Sequence, residues 1–445
     1  MIKIPRYILL FLAMTISSFG QVVAQTADVE SSEKRDDDDE DMDALKRWLL
    51  DKRFITMREI GGDLSISADV RTEFQAASEV VNGVQQRNYP HLPPNNATAK
   101  PMYGWDVEFN LMLDYRTDRT WAAVKVEFDN NMGQRSGTVS NITLEKAYAG
   151  GRIVAGDTFV MDAELGRRFL FIPFESKIEF SAVFDGLLLR FNKAFESIGT
   201  FYFNGAMFVV DDTTNHYGWV GELGALKIGN TGLNLKYSVI DWYRPGGENE
   251  KGNTILQTAL TNQRYKFLNS QFLIYYQLYP EWIGKKLIKI YAAGLMNHLA
   301  SSSKIVRSNG VDYQIVPTGG SKQNLGAYIG VSIGNAKRKG DWAIDADYQW
   351  VQAQAVADFD SLGIGRANTA KVGTYTQNVN GSGGLVGQSQ SVGGANFKGF
   401  EIEGLYALTD NLVVQQSFRY SNTLNKNIGP DITYKQYEME FIYAF

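Results

Sequence analysis

The chain has 445 residues, a formal net charge of −5, three histidines and no cysteine. Lack of cysteine excludes disulfides, a lipid-modified cysteine and a thiolate metal centre. The mildly acidic balance excludes a basic field for nucleic acid. Aromatics at 13%, 43 glycines and only 21% charged residues suit a fold with many turns and aromatic rims.

Met1–Ala24 reads as a secretory signal. Lys3 and Arg6 supply positive charge, Ile8 to Phe19 an apolar core, and Val22-Val23-Ala24 a small-residue cleavage site. That core is well short of the ~20 residues a spanning helix needs, so cleavage after Ala24 is expected. Residues 25–62 form a leader. Asp28 to Asp43 holds ten acids against two bases, a run whose self-repulsion predicts a solvated, disordered spacer. Ala44-Leu45-Lys46-Arg47-Trp48-Leu49-Leu50, capped by Asp43, predicts a short helix. It belongs either on the periplasmic side or inside a barrel mouth.

From Asp63 onward the period is two. Leu64, Ile66, Ala68 and Val70 oppose Ser65, Ser67, Asp69 and Arg71; Trp105 through Tyr115 and Trp342 through Trp350 repeat the pattern. Each stretch is about ten residues, the length of a tilted membrane strand. Trp105 and Tyr115, ten residues apart on one face, stand roughly 26 Å apart in height, which matches an apolar band between aromatic girdles. Seven short connections alternate with eight long ones, which gives sixteen strands with both termini at the short-turn end. The longest connection, Ala355–Phe397, reads as an extracellular loop. Its GSGGLVG run fails the nucleotide-loop spacing. The last strand, KQYEMEFIYAF, sets Tyr437, Met439, Phe441, Tyr443 and Phe445 on one face.

That ending resembles the C-terminal signature of bacterial outer-membrane β-barrel proteins, in which the terminal strand closes the barrel and is read by the assembly machinery. Leu144-Glu145-Lys146-Ala147-Tyr148, Leu165-Gly166-Arg167-Arg168 and Phe184-Asp185-Gly186 are similar to stretches of a sequence-diverse group of Gram-negative outer-membrane porins. Residues 63–445 resemble that family in pattern more than in motif. The fold expected is all-β: a transmembrane antiparallel up-and-down β-barrel of about sixteen strands with a short N-terminal helical segment. The resemblance implies a water-filled pore for small hydrophilic solutes, often in a homotrimer, surrounded by outer-membrane lipids and requiring no cofactor.

In porins the third long loop folds inward. Here that connection is Met161–Lys177, with an apolar Phe169-Leu170-Phe171-Ile172 that gains little from exposure to solvent. Glu164, Arg167, Arg168 and Glu175 are therefore expected to border the constriction. Asp106, Glu108, Asp114, Asp345, Asp347, Glu401 and Glu403 are expected to face the lumen and to give a weak cation preference. His91, His216 and His298 fall in loops or at strand tips, and no strand-embedded histidine is available for a serine on the lipid-facing wall. Catalysis and metal binding by histidine are accordingly not expected. A surface adhesin or structural barrel with a plugged lumen is the alternative reading, and a barrel hydrolase is a distant third.

Overall fold

The computed structural model describes residues 55–59, 62–88, 100–133, 142–211, 216–242, 267–300, 304–308, 311–315, 322–357, 360–365, 376–378, 395–426 and 431–445, together with Ala44, Leu45 and Trp48. The signal, the acidic run, the cap Asp43 and the GSGGLVG run lie outside these residues. Sixteen long strands run in chain order: β1 (Gly62–Val81), β2 (Tyr103–Arg116), β3 (Thr120–Asn131), β4 (Ile142–Ala155), β5 (Phe159–Phe169), β6 (Val183–Phe195), β7 (Gly199–Asp211) and β8 (His216–Leu226). They continue as β9 (Leu233–Asp241), β10 (Leu268–Leu278), β11 (Ile288–Asn297), β12 (Leu325–Gly334), β13 (Trp342–Val351), β14 (Phe397–Ala407), β15 (Leu412–Thr423) and β16 (Ile432–Ala444).

Every neighbour in this order pairs antiparallel, and β16 returns to β1 from Asp69↔Ala444 to Val81↔Ile432. At the seam Ala68 and Phe445 exchange backbone N–H···O bonds of 2.8 and 2.9 Å. Closure is what lets strands enter lipid, because no edge N–H or C=O is left without a partner. No helix among the described residues is long and apolar enough to cross a membrane. The barrel is the transmembrane element.

Each wall has two faces, as the period of two requires. Trp105, Phe109, Ile344, Tyr348, Ile402, Phe441, Tyr443 and Phe445 are exposed outward, while Asn110, Asp345, Asp347, Glu401 and Glu403 are buried on the other side. An apolar outside and a charged inside is the reverse of a soluble domain, and it fits a lipid-bounded, polar-lumened barrel.

Among the boundaries that differ from the sequence reading, two bear on the lumen, and the short turn expected at Gly150–Gly151 falls instead at 156–158, after β4. β1 runs on to Val81 and β5 to Phe169, which still pairs with Val183. The third long connection is therefore 170–182, and Glu164, Arg167 and Arg168 are strand residues. A short strand, Ile55–Glu59, also folds back on the start of β1; its few residues give too brief a period to be legible.

The N-terminal helix takes the barrel mouth. Ala44, Leu45 and Trp48 are helical, and all three are buried in one cluster with Ala336, Ala343, Leu405, Ala407, Val413, Ile442 and Ala444. Ala336 lies in the short turn before β13, and the other partners occupy inward positions at the short-turn end of β13–β16. This explains why Ile442 and Ala444 break the polar face of the last strand.

Candidate pore constriction

Residues 170–182 enter the lumen through their apolar side chains. Leu170, Phe174 and Phe180 are fully buried against Phe184, Leu188, Phe208, Val220, Ile240 and Trp242, the inner faces of β6–β8 with the end of β9. Ile178 packs under β10–β13 with Leu273, Tyr275, Tyr291 and Tyr328. The apolar run that looked wasteful in a surface loop is the loop's anchor.

Charge fixes the tip. Glu175 accepts from Lys236 and Lys289 at 2.6 Å each. Lys177 reaches Asp345 at 2.9 Å and Asp347 at 3.7 Å. Ser176 donates to Gln271 at 2.8 Å, and Asn204 donates to the carbonyl of Pro173 at 2.9 Å. Lys289 is the second residue of β11 and Lys236 the fourth of β9, so the tip descends well into the short-turn half of the wall. Burial works against the Lys177 charge, but Asp345, Tyr291, Asp347 and Glu403 outweigh it and hold its proton well above the ordinary lysine range.

A second segment also turns inward, and the sequence reading missed it. Ala353, Ala355, Val356, Ala357 and Ile364 are buried, and Glu179 bridges to Ser361. The start of the seventh long connection thus lines the barrel rather than standing outside it; the Ala353-Gln354-Ala355-Val356-Ala357 run was the available signal. Glu179 and Asp360 are both buried here. Burial raises Glu179 to about 8 against a bond from Asn269. Asp360 is pushed well above the carboxylate range by burial and by Glu179.

No protein-family model matches this chain, and no curated protein resembles it. Among solved structures it is similar to Pseudomonas putida OprB in a high-pH structure, with 10% identity, 90% of this chain and 96% of that chain covered, and a TM-score of 0.48. It is also similar to Salmonella typhi OmpF in complex with daunomycin, with 11% identity, 88% and 100% covered, and a TM-score of 0.45. A loop L8 deletion mutant of OmpT, an outer membrane protein of Vibrio cholerae, has 11% identity, 86% and 100% covered, and a TM-score of 0.41.

The three short segments singled out in the sequence fall on adjacent strands. Tyr148 stands opposite Gly166, Gly166 opposite Gly186, and Arg167 opposite Asp185. Gly166 has φ of 140°, and a Cβ there would lie 2.3 Å from the Ala147 oxygen, so only glycine fits. Beside this gap the Arg168 guanidinium lies 4.6 Å over the Tyr148 ring. Glu164 accepts from Arg168, Arg190 and, at 3.0 Å, the Trp121 indole.

Of the four expected constriction residues, Glu164 and Arg168 face inward together and Glu175 faces two lysines across the lumen. Arg167 is a correction. It lies on the outer face, exposed, in a two-point pair with Asp185 at 2.8 Å. One residue of extra strand sends it outside, because the side-chain period is two.

Asp106, Glu108, Asp114, Asp345, Asp347, Glu401 and Glu403 all occupy the inward face, on β2, β13 and β14. With Glu73, Glu438 and Glu440 they make an acidic arc across the closure seam. Arg71, paired with Asp69 at 2.9 Å, and Arg419, bonded to Glu401, interrupt it. Lys125, Lys146, Arg152, Arg168, Arg190, Lys236 and Lys289 mark the other arc, β3–β11, where Glu145, Asp162 and Glu164 partner several of them. Such segregation sets a field across the lumen.

His91 lies outside the described residues, and His216 opens β8. His298, just past β11, meets the Ser270 hydroxyl at 2.7 Å on the outer face, a serine–histidine contact not expected from the sequence. Among the described residues no carboxylate or amide orients the other imidazole nitrogen, so the pair lacks the third group of a nucleophilic triad.

Proposed function

We propose that the protein is an outer-membrane channel for passive diffusion of ions and small hydrophilic solutes, with a weak preference for cations. The observation that carries this reading is the charged inner wall of a closed sixteen-stranded barrel, narrowed by 170–182. A barrel this wide keeps a lumen unless it is filled. Glu73, Asp106, Glu108 and Asp114 stay partly exposed on the acidic arc, where a passing cation would meet carboxylates. No bound group is required: the wall replaces hydration, and the loop limits size.

Lipid would meet the aromatic outer stripe. Tyr437, Met439, Phe441, Tyr443 and Phe445 would present the final strand to the assembly machinery before closure, and a homotrimer would use the same apolar outer wall. The test is single-channel conductance of the refolded mature chain under a KCl gradient. Stable steps with a cation-leaning reversal potential are expected, whereas an anion-leaning potential would refute the preference.

The burial of Leu45 and Trp48 inside the mouth favours a second reading, a plugged adhesin or structural barrel. A correctly folded barrel that conducts only after residues 25–50 are deleted would support it.

A further inference from the structure

Where the barrel closes, three carboxylates converge on the inner wall. Ligand oxygens of Glu73 on β1 and of Glu438 and Glu440 on β16 all lie within 4.8 Å of one another. Glu73 stands opposite Glu440 in the seam register. Nothing in β-sheet pairing calls for like charges face to face, and such pairs destabilise a sheet.

Neighbouring amides hold the carboxylates in place. Gln75 donates to Glu73 Oε1 at 2.9 Å, and Gln436 donates to Glu438 Oε2 at 2.9 Å. Arg419 pairs with Glu438 at 3.7 Å and is also bonded to Glu401, so one guanidinium is shared between carboxylates of two strands.

A second observation is independent of the acids. On β15, Gln415 stands directly opposite Glu440 and Ser417 opposite Glu438, all on the inward face. Gln415 is 5% exposed and Ser417 2%, and neither Gln415 Oε1 nor Ser417 Oγ has a hydrogen-bond partner among the described residues. Buried polar atoms are ordinarily satisfied. Two unsatisfied oxygens beside three carboxylate groups make a set of hard oxygen donors, with no nitrogen or sulfur.

We propose that Glu73, Glu438, Glu440, Gln415 and Ser417 bind a calcium ion that fastens β1 to β15 and β16 at the closure seam. Calcium accepts six to eight oxygens in irregular geometry, carboxylates and amide oxygens included, with water completing the shell. Magnesium demands a tighter octahedron and keeps its water, so this flat, cross-strand array suits it less well. The ion would neutralise the facing carboxylates and supply the partner that Gln415 and Ser417 lack.

The experiment uses the refolded mature barrel in detergent, stripped with chelator and titrated with calcium chloride by calorimetry and by thermal unfolding at constant ionic strength. One calcium per chain and a raised unfolding midpoint are expected, with magnesium weaker. Glu440→Gln weakens calcium on the order of tenfold or more. Gln415→Leu, which leaves every charge in place, also weakens it; this variant separates a built site from a merely acidic wall and serves if Glu440→Gln does not refold. Absence of binding at millimolar calcium, or equal binding by the wild type and Gln415→Leu, overturns the proposal. Because binding is read without conductance, either result leaves the channel reading untouched.

Discussion

Glu175→Gln and Lys177→Met should move ion selectivity in opposite directions. Glu175 is the acid between Lys236 and Lys289, 2.6 Å from each, and Lys177 is the cation facing Asp345 and Asp347. Removing Glu175 uncovers positive charge at the waist, and removing Lys177 uncovers negative charge. A unit charge acts on an ion ~4 Å away with about 1 kcal/mol in water-like surroundings and about 4 kcal/mol at an effective dielectric of 20. A wet lumen lies near the lower figure, and about 1 kcal/mol is roughly fivefold in a ratio. The potassium-to-chloride permeability ratio should therefore fall about fivefold in Glu175→Gln and rise by a similar factor in Lys177→Met. Leu170, Phe174 and Phe180, all fully buried, keep the loop in place through both changes. Reversal potentials in a KCl gradient at about 0.1 M, where screening extends ~10 Å, provide the assay. Repetition near 1 M should shrink both shifts. Open channels in which both variants move the same way, or neither moves, would refute the placement of these charges at the waist.

Arg168→Ala should cost about 3–5 kcal/mol in unfolding stability, because it strips a buried partner from buried Glu164. Arg167→Ala should cost no more than about 1 kcal/mol and leave conductance unchanged, since its pair with Asp185 is exposed; denaturant unfolding and single-channel recording compare the two. Both Glu179 and Asp360 carry raised pKa values, so docking of 170–182 on 360–365 holds their protonated forms. That contribution is whole below the ordinary carboxylate range and is lost as pH climbs through about 8. Conductance and open-channel noise should rise between pH 6 and 9, and Glu179→Gln should weaken the dependence; an unchanged profile in that variant would refute the assignment. Trp48→Ala should cost the helix about 3–5 kcal/mol of docking. Conductance and protease sensitivity near residue 50 should both increase.

The alternation legible in the sequence determined the barrel, its sixteen strands and the two faces within each clearly periodic stretch, because a strand's period is local and closure follows from the lipid's refusal of unpaired backbone. The apolar run around Leu170 also announced that the third long connection would not stay in water. What the sequence could not supply was register. Whether Arg167 or Arg168 points inward turns on a single residue at the strand's end, and the sequence run is continuous there. Glu175 meets Lys236 and Lys289, and Glu73 meets Glu440, only because strands far apart in the chain lie side by side. The helix was predictable from Ala44 to Leu50, but its seat was not. Ile442 and Ala444 look like faults in a polar stripe until Leu45 and Trp48 cover them. Local periodicity is written along the chain, whereas which charges face one another across the lumen is settled only when the last strand meets the first.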